Sequence, residues 1–482
     1  MSRSLIVLAA GEGRRMRSSL PKVLHPLLGR TMLGHVLAAA EPLEARHTLV
    51  VIGYGADQVR EHLTEIAPGA APVLQERQHG TGHAVRVALA AAPELTGTVV
   101  VLNGDLPLIR PATLAALVGA HEAAGAAATL LTAEVADPGG LGRIVRGPRG
   151  FQRIVEERDA TPAERAVREI NAGAYVFEAA VLREALDKLS TDNDQGEEYL
   201  TDVFGTLLAA GHAVATASAD DTTEALGAND RAQLAMLRAL LRDRVNGDWM
   251  RSGVTLLDPV TTWIDVTVTL GRDAVVEPNT QLRGATVIGE GALVGPDTTL
   301  TDVYVAEHAS VVRTHGSGAR VGVGASVGPF AYLRPGTSLG DKGKIGTFVE
   351  TKNAEIGTGT KVPHLSYVGD ATIGEQTNIG AATVFVNYDG VAKHRTVIGS
   401  HARTGADNMF VAPVVVGDGA YTGAGTVVRR EVPPGALSYS NAPQKIVEGW
   451  VESRRPGTPA AEAAARAREA ADPTTPGTSE DR

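Results

Sequence analysis

Hydrophobic residues follow two different patterns along this chain of 482 residues, and the change between them divides it. In the first half they come as continuous apolar runs: SLIVLAA at 4–10, HTLVVIG at 47–53, TVVVLNGD at 98–105, AAATLLTAEV at 126–135 and AGAYVFE at 172–178. Runs without alternation predict strands buried on both faces. Helix-like segments such as TMLGHVLAAAEPL and GTGHAVRVALAAA separate several of them. The alternation predicts an α/β domain over 1–228 with a mostly parallel sheet, whose ligands bind beyond the carboxyl ends of the strands.

Residues 229–253, NDRAQLAMLRALLRDRVNGDWMRSG, open on two good helix caps and carry Leu at helical spacing, so one long connecting helix is expected. After it the period becomes six. Val276, Leu282, Ile288, Val294 and Leu300 form one run, and Val321, Val327, Leu333, Leu339 and Ile345 another. One shortened step leads to Ile356, Val362, Val368, Ile373 and Ile379; the beat resumes at Ile398, Thr404, Phe410, Val416 and Thr422. Gly often follows, as at 289, 322, 328, 340, 346 and 417. This predicts a left-handed parallel β-helix over 254–453, with one aliphatic residue per short strand entering the core and three strands to an 18-residue coil. Residues 383–396, TVFVNYDGVAKHRT, break the beat and read as a polar loop leaving the coil. Residues 454–482 are rich in Pro, Ala and charge, and are expected to be largely disordered with a transient helix in the Ala-rich middle.

Composition narrows the function. A net charge of −10 argues against a nucleic-acid partner held by bulk electrostatics. With no Cys there is no disulfide, thiolate metal site or cysteine nucleophile. The N-terminus enters a strand directly, and no run of about 18 apolar residues occurs, so neither a signal peptide nor a membrane span is expected, and the location expected is cytoplasmic.

The first candidate chemistry lies in LAAGEGRRM, a glycine-containing loop after the opening strand. Met16 stands where a dinucleotide fingerprint needs its third Gly, and a Walker A Gly-Lys-Ser/Thr is absent. Arg14, Arg15, Arg17 and Lys22 follow closely, a set suited to a triphosphate and a leaving pyrophosphate. Asp105 in LNGDLPL ends a strand and reads either as a turn or cap residue or as a ligand for Mg²⁺.

The second lies in the β-helix. Arg334 and Lys352 take the position that Gly holds at 322, 328, 340 and 346, and they are 18 residues apart, so they stack one coil above the other. Two cations about 4.8 Å apart repel. A phosphate between them is preferred to a pair of solvated surface cations. His364 in KVPHLSYVGD follows, an imidazole able to take a proton from an attacking amine, although a lone His is more often structural.

LAAGEGRRM…LPKVLH, QHGTGHA, LNGDLPL, GLGRIV, IVEERDAT and EINAGAYVF resemble the sugar-nucleotide pyrophosphorylases. Together with the hexapeptide half, residues 3–453 resemble the bacterial bifunctional N-acetylglucosamine-1-phosphate uridyltransferase/glucosamine-1-phosphate N-acetyltransferases. The resemblance implies a Rossmann-like nucleotidyltransferase domain in which Leu8, Ala9, Ala10 and Gly11 line the nucleotide, while Arg15 and Lys22 contact phosphates. It implies that Gln75, Gln78, Gly80 and Thr81 read uracil, that Gly140, Glu156 and Asn171 bind the sugar, and that Asp105 and Asn229 hold Mg²⁺, Asn229 also lying against the sugar nucleotide.

For the second half it implies His364 as general base and Arg334, Lys352, Tyr367 and Asn378 as the glucosamine 1-phosphate site. Ala381, Tyr388, Ala406 and Ala424 would line acetyl-CoA, with Asn387 serving either substrate. UTP and acetyl-CoA are then the co-substrates, and a homotrimer feeding peptidoglycan synthesis is expected. The sequence departs from the family's pattern at Arg14, Asn103, Ala406 and Asn441, positions bearing on affinity rather than on the reaction. Trp450 reads equally as a packing residue and as a contact to a neighbour's cofactor. One alternative keeps the uridyltransferase and makes the β-helix a scaffold. Another is a trimeric zinc hydratase drawing on His308, His315, His364, His394 or His401.

Overall fold

The computed structural model describes residues 2–148, 150–440 and 443–471; the departure at Asn441 lies outside them. The N-terminal half is built on a nine-stranded sheet. Within it the strand Arg3–Ala9 runs parallel to His47–Ile52 on one side and to Thr98–Asn103 on the other. These strands therefore end on one edge, which carries the loops beginning at Ala10, Gly53 and Gly104. Both faces are covered: Val7 belongs to one apolar cluster and Ile6 to another, and each is fully buried. That double burial explains the unbroken apolar runs.

Glu169–Glu178 departs from the parallel expectation. It lies antiparallel to both Thr98–Asn103 and Ala128–Glu134, with a bulge between Asn171 and Tyr175. The reason is its connection: a hairpin, Arg143–Gly147 with Gly150–Val155, precedes it where a crossover helix would have kept the direction.

The connecting helix spans Arg231–Arg251. Asp230 accepts from the Gln233 N–H at 2.8 Å, and the Gln233 side chain accepts from the Asn229 N–H at 2.7 Å, a reciprocal cap. The helix is fastened to both halves. Arg231, Arg238 and Arg244 donate to the carbonyls of Met16, Pro26 and Leu108, while Arg242 and Asn246 donate to those of Val260 and Pro259. A backbone bond from Val266 N–H to Leu28 O at 3.0 Å joins the halves directly.

From Thr255 to Ser438 the short strands pair only in parallel, each with the strand one coil away, as in the column Leu333–Thr351–Val368. This is a parallel β-helix. Every residue on the six-residue beat points inward, from fully buried Val276 and Phe410 to Thr404 at 7% exposure. The coils approach so closely that a Cβ on Gly340 would stand 2.6 Å from the Thr358 nitrogen, so glycine is required there. The coil persists further than expected around residue 383: Val384–Val386 is still a strand and Phe385 is fully buried against Phe410, so the excursion begins at Asn387. In the tail, Pro459–Ala471 is a helix of 13 residues, in the Ala-rich middle where a helix was expected.

Candidate active sites

The opening loop is built by contacts between strand ends. The Leu8 carbonyl accepts from Gly104 N–H at 2.9 Å and that of Ala10 from Tyr54 N–H at 3.1 Å. Gln78 lies across Gly53 from Ala10, since a Cβ on Gly53 would meet Gln78 Nε2 at 2.6 Å and the Ala10 carbonyl at 2.8 Å. Gln75 is buried and its amide is engaged, with Nε2 3.1 Å from the Gly80 carbonyl and 2.9 Å from His83 Nδ1. Gly80 has φ +106°, and a Cβ there would lie 2.4 Å from the Glu198 carbonyl. The segment 196–204 thus closes over the start of helix Thr81–Ala91, and the Thr81 hydroxyl accepts from Leu200 N–H at 3.0 Å. Gly11 and Arg15 are exposed on the loop; Arg14 pairs with Glu12 at 2.6 Å.

Asp105 and Asn229 converge. Lys22 Nζ lies 2.5 Å from Asp105 Oδ2 and 2.8 Å from Asn229 Oδ1, so both oxygens face one cation position. Beside them a cleft of about 260 Å³ is lined by Thr81, Asp105, Gly140, Glu156, Asn171 and Asn229 among others. Asn171 is oriented at both ends, its Nδ2 donating to Tyr175 Oη at 2.8 Å and its Oδ1 accepting from Gly173 N–H at 3.2 Å. Burial pushes the Glu156 carboxyl above its ordinary range, against a 3.1 Å hydrogen bond from the Thr201 hydroxyl. Asn103 lies against Gly173, where a Cβ would clash with its Nδ2.

In the second half, Arg334 and Lys352 do stack in register. Both have charged neighbours within the chain. Arg334 pairs with Glu350 at 2.8 Å, which raises its pKa. Lys352 has its pKa lowered by the close approach and charge of the Lys393 ammonium. Burial alone would raise Asp370, but hydrogen bonds from Asn353 and Asn387 and the charges of Lys352 and Lys393 bring it below its ordinary range. Asn387 donates to Asp370 Oδ2 at 2.5 Å and to Tyr367 Oη at 3.4 Å. Gly369 leaves room for this group, since a Cβ there would stand 2.3 Å from Tyr367 Oη.

His364 ends the strand Lys361–His364, exposed at a corner. Ala381, Ala406 and Ala424 lie in the same column on successive coils, as the bonds Ala382 N–H to His364 O, Asp407 N–H to Ala381 O and Gly425 N–H to Ala406 O record. On the coils after His364 this column therefore carries only the methyl groups of three alanines. Asn378 bridges Lys361 and Arg403 on the neighbouring face. Tyr388 rises from the excursion, which Asp389 braces by accepting from Val391 and Ala392 N–H and by bonding His394 at 2.7 Å.

The chain that carries these two groups of residues matches known proteins over nearly its full length. The model of the MobA-like NTP transferase domain matches residues 5–255. The bifunctional protein GlmU of Kineococcus radiotolerans is 58% identical over 476 residues, 98% of this chain and 97% of that one. The chain belongs to the bifunctional GlmU family. The GlmU of Thermobifida fusca is 59% identical, covering 96% of this chain and 97% of its own, and that of Mycobacterium bovis is 55% identical, covering 97% and 96%. A solved UDP-glucose pyrophosphorylase in complex with UDP-glucose is 14% identical, with TM-score 0.42, covering 51% of this chain and 100% of its own. Membership of the GlmU family across both halves displaces the scaffold-only and zinc-hydratase alternatives.

Several residues of these sites escape a sequence reading. Tyr175, Tyr199 and Thr201 line the cleft, Glu350 pairs with Arg334, and Asp370 and Lys393 set the charge around Lys352. GEEYLTD at 196–202 carried a signal, a polar segment between two helices, whereas Lys393 is drawn to Lys352 only by the path of the excursion.

Proposed function

We propose that this protein makes UDP-N-acetylglucosamine in two steps. The observation that carries the two-step reading is the column His364–Ala381–Ala406–Ala424 on the same β-helix as a cationic cluster, on a chain that also holds the first site. Arg334, Lys352 and Lys393 hold the phosphate of glucosamine 1-phosphate, Tyr367, Asn378 and Asn387 its sugar, and the small-residue column with Tyr388 the acetyl-CoA arm. His364 takes the proton as the amine nitrogen attacks the thioester carbonyl. The C–N bond forms, the C–S bond breaks and coenzyme A leaves as thiolate, so no acyl-enzyme is needed in a chain without Cys.

The product then enters the N-terminal cleft, where Gly140, Glu156 and Asn171 hold the sugar. Leu8, Ala9, Ala10 and Gly11 line the nucleotide, and Gln78, Gly80 and Thr81 lie on the uracil side with Gln75 bracing them. A sugar-phosphate oxygen attacks the α-phosphorus of UTP, the bond to the β-phosphate breaks, and pyrophosphate leaves while Arg15 and Lys22 neutralise its charge. The donor set fits Mg²⁺, because a carboxylate and an amide oxygen already converge on one ammonium. When bound, the ion supplies charge neutralisation on the phosphates.

An exposed apolar ladder supports a homotrimer. Phe330 and Phe348 stack at 5.5 Å, and Leu365, next to His364, continues them; all three are more than half exposed. A second copy would cover this ladder and complete the acetyl site. Among the described residues no helix is long and apolar enough to cross a membrane. With UTP and acetyl-CoA as co-substrates we place the reactions in the cytoplasm, feeding peptidoglycan precursors. Incubation with glucosamine 1-phosphate, acetyl-CoA and UTP should yield UDP-N-acetylglucosamine by mass spectrometry. Formation from N-acetylglucosamine 1-phosphate and UTP alone, but never from the amine, would contradict the two-step reading.

A further inference from the structure

We infer that Lys22 gates the metal position of the first site, so that a divalent cation is admitted only after a polyphosphate has drawn the Lys22 ammonium away. The inference rests on reading Asp105 and Asn229 as metal ligands. Lys22 Nζ stands 2.5 Å from Asp105 Oδ2 and 2.8 Å from Asn229 Oδ1, so one ammonium takes both oxygens that a metal would need. A divalent cation arriving there meets occupied donors and a like charge at contact distance.

The lysine is fixed at its root and free at its tip. It opens the turn Lys22–Leu24, whose Val23 and Leu24 are buried, and Pro21 precedes it. The backbone of the opening loop lies on its stem, since a Cβ on Gly13 would come 2.7 Å from Lys22 Cβ. Asn229 is fixed as well, its N–H held by Gln233 at 2.7 Å in the helix cap. The ammonium alone is left to choose between partners, and its side chain is 13% exposed.

A polyphosphate bound at the loop offers more negative charge than one carboxylate and one amide. Lys22 transfers to it, and Asp105 is left uncompensated just as phosphate oxygens arrive to share a metal. The gate couples metal uptake to nucleotide and keeps the empty site from trapping a divalent ion.

The test measures Mn²⁺ binding to the full-length protein without nucleotide, by paramagnetic relaxation of water protons. Lys22→Met should bind Mn²⁺ about tenfold or more tightly than the wild type. Adding Asp105→Ala to it should abolish the gain. Equal affinity of Lys22→Met and wild type overturns the gate, provided the variant's far-UV circular dichroism and urea unfolding match those of the wild type. A parallel series with UTP separates the two claims. If Asp105→Ala weakens Mn²⁺ binding with UTP while Lys22→Met gains nothing without it, the gate alone falls. If Asp105→Ala leaves Mn²⁺ binding with UTP unchanged, the metal lies elsewhere and both fall.

Discussion

Asn387 donates a 2.5 Å hydrogen bond to Asp370 and so fastens the root of the excursion to the coil stacked on the one that presents Lys352. Asp370 also faces the charges of Lys352 and Lys393. It is the counter-charge that lets two ammonium groups approach one another.

Asp370→Ala should therefore loosen the excursion and separate the two lysines. A lost hydrogen bond to a charged group is worth about 1.5–3 kcal/mol, or roughly 10- to 100-fold in affinity. The KM for glucosamine 1-phosphate should rise by that order, while pyrophosphate release at the first site stays unchanged. An unchanged KM would remove Asp370 from the site.

The apolar ladder makes a separate prediction. Leu365→Asp places a charge on a residue that is 60% exposed in one chain and covered in the proposed trimer. Light scattering should report a mass near one chain for the variant and near three for the wild type, and acetyl transfer should fall with assembly. A wild-type monomer would contradict the trimer.

The arrangement of the β-helix was legible because each coil repeats one requirement. An aliphatic residue must enter the core where Val327, Leu333 and Leu339 do, and the coil-to-coil approach at Gly340 admits no side chain. The stacking of Arg334 on Lys352 followed from the same count. Strand direction was not legible at Glu169–Glu178, because burial on both faces produces the same apolar run whichever way the strand points. The charge around Arg334 and Lys352 was hidden too. Glu350 and Asp370 are ordinary surface residues in the sequence, and Lys393 approaches only because the excursion folds back. In the first site, Lys22 could be read as a phosphate contact, but its bond to Asn229 spans 207 residues and no local pattern records it.

The N-terminal domain should lose stability in mild acid through His35. Burial lowers this His from 6.5 to about 4, helped by the charges of Arg30 and Arg244 and opposed by its bond to the Leu27 carbonyl. Between these values the unfolded chain binds a proton that the folded chain refuses. Stability therefore rises with pH across this window and is lost as pH falls through it. At about 1.4 kcal/mol per pH unit the loss reaches roughly 3 kcal/mol by pH 4. Urea unfolding of the wild type against His35→Gln, at several pH values from 4 to 7, should show this slope in the wild type only.

The central claim is that one chain holds two separable sites, and coenzyme A release from acetyl-CoA tests it most directly. The chain has no Cys, so a thiol reagent reads only the product. Thiol release should require glucosamine 1-phosphate and vanish in His364→Ala, while pyrophosphate release from UTP and N-acetylglucosamine 1-phosphate persists in that variant. Thiol release absent from the folded wild type, or undiminished in His364→Ala, would contradict the account.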